Sequence, residues 1–443
     1  MGNVPLHPRQ TASQGPGGNG ASPGSFRPMA ELSNIVVVGA SLAGLRAAET
    51  LRREGYAGWL TILGAEPHRP YDRPPLSKEV LAGKRDPDGI VLRKPDAWDE
   101  LEADWRLGRP AVGLDLAARV VELAGGERVA FDGLVIATGA TPRVPGFADG
   151  WVDPGVTAGL APFAAGWVRS GRTPGGRGVH VLRSLDDALA LRAELDRVPR
   201  VAVVGAGFIG SEVAATCRER GLDVVLIEAL VAPLVRGVGE RLGALVAQIH
   251  VDHGVDLRCG VGVAALEGGA RVEGVRLADG RLVPADVVVI GVGVVPETRW
   301  LESSGLALEN GVLCDETCAT AAPDVVAAGD VARWRDARTG ERVRFEHWTN
   351  AVEQGVAAAQ RLLAGPAAAK PYTPVPYVWS DQYDARIQIA GDPGPDCEVR
   401  VIDGTLEERK FVALFERAGE LRGVVGFNRP RQVVAYRRQL RGA

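Results

Sequence analysis

With 443 residues the chain exceeds one ordinary domain and calls for roughly two to four. Apolar residues make up 46%, enough for a substantial core, and a net charge of −4 excludes the marked basic excess of a nucleic-acid or membrane-surface binder. No run of about 18 uncharged apolar residues occurs, so no transmembrane helix is read.

Residues 1–30 are rich in Gly, Pro and Ser and lack an apolar h-region, which predicts a disordered extension and not a secretory signal. Asn34-Ile35-Val36-Val37-Val38 then reads as a central parallel strand, buried on both faces. A Gly-rich turn, an Ala/Leu/Arg-rich helix to about Arg53 and a strand at residues 59–63, followed by Glu66, complete one strand–turn–helix–strand unit. Period-two segments with hairpin-like turns follow, as at residues 129–137. Residues 146–178 are crowded with Gly, Pro and Trp and read as an insertion or long loop.

The first unit then returns. Arg200-Val201-Ala202-Val203-Val204 is its strand, residues 205–210 its turn, 211–220 its helix, and residues 224–227 a second strand ending at Glu228. Two such units in one chain imply two nucleotide-binding domains. A further period-two segment lies at residues 282–290. Beyond Pro371 short β-like runs at 377–379, 386–389 and 410–415 predict a smaller α+β domain, ending in an Arg-rich helix.

Gly39-Ala40-Ser41-Leu42-Ala43-Gly44 lies between strand and helix, where a dinucleotide pyrophosphate is held. Its first glycine permits the tight turn and its last lets helix and strand approach, while the helix N-terminus offers free N–H groups to phosphate. Ser41 replaces the usual middle glycine, so this fingerprint is imperfect. Glu66 stands at a strand end, where a carboxylate accepts hydrogen bonds from an adenosine ribose. Gly205-Ala206-Gly207-Phe208-Ile209-Gly210 has every glycine in place. Glu228, again at a strand end, suits a ribose 2′-hydroxyl and repels a 2′-phosphate, which favours NADH over NADPH; Arg236 nearby works against that preference. Glu212, in the first turn of the following helix, either complements the helix dipole or reaches toward a nicotinamide.

Five cysteines, an odd and sparse set, fit a reducing cytoplasm better than a disulfide framework. Cys314 and Cys318 lie on a strand running into a turn, with no second pair or histidine nearby, and read as incidental rather than metal-binding.

Several motifs occur in one order: Tyr71-Asp72-Arg73-Pro74-Pro75-Leu76-Ser77-Lys78, then Ala137-Thr138-Gly139 before Arg143, the second fingerprint with Ser211-Glu212, Ala328-Gly329-Asp330, and Glu346-His347-Trp348-Thr349-Asn350-Ala351. Together they resemble the ferredoxin-reductase branch of the pyridine-nucleotide–disulfide oxidoreductase superfamily, of the putidaredoxin-reductase and rhodocoxin-reductase type, over residues 34–438. The resemblance implies an α/β fold with two Rossmann-like domains and a smaller α+β domain. FAD would take residues 31–122 and 293–370, NAD residues 123–292 with the insertion, and residues 371–443 would form the third domain.

For FAD, the resemblance implies pyrophosphate contacts from Gly39, Ala40, Ser41 and Gly44 and a ribose contact from Glu66. Arg73 and Lys78 would lie along the cofactor, Lys78 near the flavin ring and paired with Glu212 as the catalytic pair. Ala111 would approach the adenine. Ala137, Thr138, Gly139 and Arg143 would add contacts, Gly329 and Asp330 would meet the ribityl chain, and Trp348 and Trp379 would close over the flavin. For NAD it implies Gly205, Gly207, Phe208, Ile209, Gly210, Glu212, Glu228 and Gly293. The whole stretch 39–107 lacks cysteine, so no thiol there relays electrons from flavin to a disulfide or peroxide.

The implied activity is electron transfer from NADH through FAD, singly, to an acidic iron–sulfur ferredoxin serving a cytochrome P450 or ring-hydroxylating oxygenase. The arginines near the end (Arg429, Arg431, Arg437, Arg438, Arg441) are either a steering patch for that partner or a solvated helix face. Rubredoxin and monodehydroascorbate reductases share this machinery, and a redox-sensing interaction module is the reading from another class.

Overall fold

The structure is a computed structural model that describes residues 32–152, 178–394 and 396–442. The expected N-terminal extension and most of the expected 146–178 insertion therefore lie outside the described residues. Among the described residues six helices organise the fold: α1 (Leu42–Arg53), α2 (Leu185–Leu195), α3 (Phe208–Glu219), α4 (Val235–Asp252), α5 (Trp348–Ala364) and α6 (Pro430–Gly442). None among the described residues is long and apolar enough to cross a membrane.

Two five-stranded parallel sheets share one plan. In the first, Asn34–Val38 pairs with Trp59–Leu63 on one side and Gly133–Ile136 on the other, with Ala103–Arg106 and Val325–Ala327 at the edges. In the second, Val201–Val204 is flanked by Val224–Glu228 and Val287–Ile290, with Asp256–Cys259 and Val179–His180 outside them. Ile35, Val36 and Val37 are fully buried, as are Ala202 and Val203. Helices cover both faces of such a sheet, so its strands read as continuous apolar runs. A three-stranded antiparallel meander accompanies each sheet: 111–130 in the first unit and 263–284 in the second.

The expected boundary at residue 123 needs correction. It falls inside the first meander, where residues 120–123 pair with Arg128–Ala130, and the next strand, Gly133–Ile136, lies beside Asn34–Val38. The period-two reading of 129–137 missed this buried strand because the hairpin before it alternates while the strand itself does not. The chain leaves the first unit at Ala140–Pro142, which pairs antiparallel with the returning Val294–Pro296.

A five-stranded antiparallel sheet follows, ordered Tyr377–Gln382, Ala385–Gly391, Glu420–Phe427, Lys410–Arg417 and Glu398–Thr405. One face packs on α4, where Leu242, Val246 and Ile249 meet Ile387, Phe411 and Phe427. The other is covered by α6 through Val433 against Val412 and Val424.

Helices α1 and α5 cross at close range because small residues line the contact. A Cβ added at Gly355 would stand 2.5 Å from the Ala43 carbonyl oxygen. Gly355→Ala is therefore expected to cost about 1–3 kcal/mol by overpacking, read as a lowered thermal midpoint.

Candidate functional site

One cavity of about 890 Å³ lies where the two parallel sheets and the antiparallel sheet converge. That size is at the upper end for small-molecule and cofactor pockets. The N-termini of α1 and α3 open on it, and neither N-cap residue, Ser41 or Gly207, makes a side-chain capping bond. First-turn amides left without such partners, together with the helix dipole, make anion-binding positions.

The two glycine turns match closely. A Cβ at Gly44 would lie 1.9 Å from the Gly39 carbonyl oxygen, and one at Gly210 would lie 1.9 Å from that of Gly205. Gly39 and Gly205 adopt φ of +122° and +97°, left-handed backbone that glycine tolerates. A Cβ at Gly207 would meet no protein atom within 4 Å, and Gly207 lines the cavity, so that face of the turn is free for a ligand. The turns, the bare helix ends and the volume all fit a dinucleotide at each end.

Between the helix ends lies a buried charge knot. Glu212, 4% exposed at its side chain, accepts from Lys78 Nζ at 2.8 Å and from Ser77 Oγ at 2.5 Å through Oε2. Its Oε1 accepts from Ser380 Oγ at 2.9 Å, and Gln382 Nε2 donates to Ser380 Oγ at 3.1 Å. A buried carboxylate requires such compensation, since breaking a buried pair typically costs about 3–5 kcal/mol.

A second cluster spans the two parallel units. Arg73 Nη2 donates to Glu66 Oε1 at 2.6 Å, Tyr71 OH donates to Glu66 Oε2 at 2.5 Å, and Arg73 Nη1 donates to the Arg183 carbonyl. Arg183 Nη2 meets Asp330 Oδ2 at 3.1 Å. Burial opposes the Glu66 charge, but Arg73 and the Tyr71 hydroxyl outweigh it and hold the carboxyl below its ordinary pKa. Burial, with Arg73 alongside, lowers the pKa of the Arg183 guanidinium.

Most of the expected site residues form the cavity wall. Ser41, Arg73, Lys78, Ala137, Thr138, Gly139, Gly329, Asp330, Trp348 and Trp379 line one end, and Gly205, Gly207, Phe208, Ile209, Gly210, Glu228 and Gly293 the other, with Glu212 between. Six do not. Gly39, Ala40 and Gly44 build the turn beneath Ser41, and both Glu66 oxygens are taken by Tyr71 and Arg73. Ala111 sits in the first meander, and the Arg143 amide donates to Gly293 O at the chain crossing. Glu228 lines the wall, yet its oxygens accept from the Ala206 and Leu230 amides, so it also braces the turn.

The wall includes side chains that the motif reading left without a role: Asp72, Arg183 and His347. Arg183 had one local signal, the capping box of Ser184 and Asp187 that starts α2 just after it. No cysteine lines the cavity. Cys217, Cys314 and Cys318 are buried, burial pushes the Cys217 thiol up to about 12, and no cluster of metal-ligating side chains exists among the described residues.

Comparison with known proteins accords with this geometry. The profile of the pyridine nucleotide-disulphide oxidoreductases matches residues 33–355, and that of the reductase C-terminal domain matches residues 377–442. The chain belongs to the pyridine nucleotide-disulphide oxidoreductase family. Within that family it is 34% identical over 411 residues to rhodocoxin reductase of Rhodococcus erythropolis, covering 92% of this chain and 89% of the relative. It is 36% identical over 392 residues to the biphenyl dioxygenase system ferredoxin–NAD(+) reductase component of Paraburkholderia xenovorans, covering 85% and 89%. Putidaredoxin reductase, solved in covalent complex with putidaredoxin, superposes with a TM-score of 0.82 at 29% identity over 92% of each chain. The fold shared with these oxidoreductases is the α/β arrangement described above.

Glu212→Ala should destabilise the protein by about 3–5 kcal/mol by leaving Lys78 unpaired, whereas Ser380→Ala, which removes the donor to Oε1, should cost about 1–3 kcal/mol; denaturant titration measures both. Burial pushes His250 and His347 down to about 4, with His253 adding to the effect at His250 and Asp330 opposing it at His347. The unfolded chain binds protons on these imidazoles from about pH 6.5, so stability should fall as pH drops from there toward 4. His250→Gln should flatten that slope in thermal melts.

Proposed function

We propose that this chain is an FAD-dependent NADH:ferredoxin reductase that passes electrons to an iron–sulfur protein of a cytochrome P450 or ring-hydroxylating oxygenase system. The observation that carries the reading is one cavity shared by two dinucleotide-type helix ends, with no thiol on its wall. The reaction balances as NADH plus two oxidised ferredoxins giving NAD⁺, a proton and two reduced ferredoxins. FAD, when bound, supplies the exchange between a two-electron donor and one-electron acceptors.

The amides at Ser41 and the head of α1 would hold the FAD pyrophosphate, Asp330 its ribityl chain, and Ala137, Thr138, Gly139 and Gly329 its middle. Arg73 would lie along the cofactor, and Trp348 and Trp379 would shield the ring from water. The amides at the head of α3, with Gly205, Gly207 and Gly210, would hold the NADH phosphates. Phe208, Ile209 and Gly293 would flank that nucleotide, and Glu228 would face its ribose. Lys78, held in place by its ion pair with Glu212, would set a fixed ammonium beside the ring, where it would stabilise negative charge gained on reduction. Glu66 and Arg143 act at one remove, Glu66 by holding Arg73. The relative named as the ferredoxin–NAD(+) reductase component of a biphenyl dioxygenase system supports the choice of acceptor.

A ferredoxin with an acidic face would be steered by α6. Arg429 is tied to Asp403, and Arg437 and Arg441 to Glu353, which leaves Arg431 and Arg438 beside the exposed Val434. Five free cysteines suit a reducing cytoplasm as the place of action.

Turnover with NADH against a panel of ferredoxins tests the assignment; a flavin bleached by NADH that reduces none of them would overturn it. Glu228→Ala should raise KM for NADH and narrow the preference over NADPH by about tenfold. Arg431→Glu with Arg438→Glu should raise KM for the ferredoxin at low salt, with the difference fading at high salt.

A further inference from the structure

Asp72 lies in the loop after the second strand of the first unit, between two residues already committed elsewhere. The Tyr71 hydroxyl donates to Glu66 and accepts from the Leu185 amide, and Arg73 binds Glu66 and the Arg183 carbonyl. The Asp72 amide donates to Ile90 O at 2.8 Å, and Tyr71 forms a β-bridge with Val91, so the backbone is clamped on both sides. Held this way, the Asp72 carboxylate reaches the cavity wall. Its hydrogen bond there comes from the indole Nε1 of Trp348, at 2.8 Å and 276 positions along the chain. No cation forms an ion pair with this carboxylate among the described residues.

Trp348 is the first residue of α5 and also lines the cavity. Its ring meets Trp379 edge to face, with centroids 6.0 Å apart and planes at 70°. Trp379 in turn tilts against Tyr377 at 6.1 Å, and the Arg437 guanidinium lies over Tyr377 at 5.1 Å. The three rings thus run from the cavity wall to α6. Trp379 and Tyr377 are set by one strand and its ladder, Tyr377–Gln382 on Ala385–Gly391. Trp348 stands at a helix start, partly buried against the core of the first unit, and its polar edge is held by the hydrogen bond to Asp72.

We propose that Asp72 is a positioning residue: it orients the Trp348 indole so that this ring bridges the cavity and Trp379, the route by which single electrons leave for the protein acceptor. The proposal rests on the reductase reading given above. Electron transfer falls steeply with the gap between aromatic edges, so a rotated indole slows exit to a docked protein. Hydride arrival from the α3 side is not affected. Burial raises the Asp72 carboxyl above its ordinary pKa, opposed in part by the Trp348 indole N–H and by the charges of Arg85 and Lys78.

The test uses the FAD-loaded full chain as wild type, Asp72→Ala, Asp72→Asn, Trp348→Phe and the Asp72→Ala/Trp348→Phe double variant. Flavin fluorescence lifetime reports ring placement without any acceptor, because an indole held against the flavin quenches it. Stopped-flow absorbance follows bleaching by NADH and reoxidation by putidaredoxin, with ferricyanide as a small acceptor. Asp72→Ala should lengthen the lifetime several-fold and slow reoxidation by putidaredoxin by about tenfold, with bleaching by NADH unchanged. Asp72→Asn, which keeps an oxygen acceptor for the indole, should restore both. The double variant should be no slower than Trp348→Phe, since the two act as a unit. The proposal is overturned by an unchanged lifetime in Asp72→Ala, by Asp72→Asn failing to restore it, or by additive effects in the double variant. If wild type reduces no iron–sulfur protein, the reductase reading fails, and the lifetimes still decide whether Asp72 orients Trp348.

Discussion

The Glu212 carboxylate is buried at the point where three parts of the chain meet, and the arrangement of those parts follows from its need for donors. It sits on α3 of the second parallel unit, takes Ser77 and Lys78 from the first, and takes Ser380 from the antiparallel sheet. An ionised carboxylate withdrawn from water is tolerated only when it is paired and hydrogen-bonded. Each of the three segments must therefore approach to within hydrogen-bond distance of one charge. The cavity is the space left between them.

The same local solution appears at each end of that cavity. In both glycine turns a helix is packed so tightly on its strand that a single added carbon would overlap the preceding turn's carbonyl. That closeness aims the first amides of α1 and α3 into the shared space. Small residues also let α5 lie against α1, which carries Trp348 to the wall and fixes the Gly329 amide on Gln354 Oε1 at 2.9 Å. Packing and polarity are thus coupled: close backbone contact positions the dipoles, and the buried charges hold the units that carry them. The Glu66–Arg73–Arg183–Asp330 cluster repeats this logic: Arg73 binds Glu66 and the Arg183 carbonyl, and the Arg183 guanidinium binds Asp330 across the two parallel units.

The parallel strands, the glycine turns and the residues at their heads were legible in the sequence because each depends on neighbours a few positions away. Buried strands announce themselves as runs such as Ile35-Val36-Val37-Val38, and a turn that requires positive φ announces itself as Gly39 or Gly205. The strand Gly133–Ile136 escaped because a buried four-residue run next to an alternating hairpin has no period of its own. Glu66 lies three residues past the strand that ends at Leu63, and its partners were not legible: proximity to a ligand and proximity to Arg73 look alike in one dimension.

Sequence by itself determined the two nucleotide-type units, their glycine turns and the absence of a cysteine between residues 39 and 107, and most of the site residues it singled out lie on the wall. Only the tertiary structure decided which side chains pair across that wall: Ser380 with Glu212 over 168 positions, Arg183 with Asp330 over 147, and Trp348 with Asp72 over 276. The reason is physical. Backbone conformation is governed by short-range sterics and periodicity, which a linear pattern records. The compensation of a buried charge is governed by distance in space, which is set only when the separate units have closed on one another.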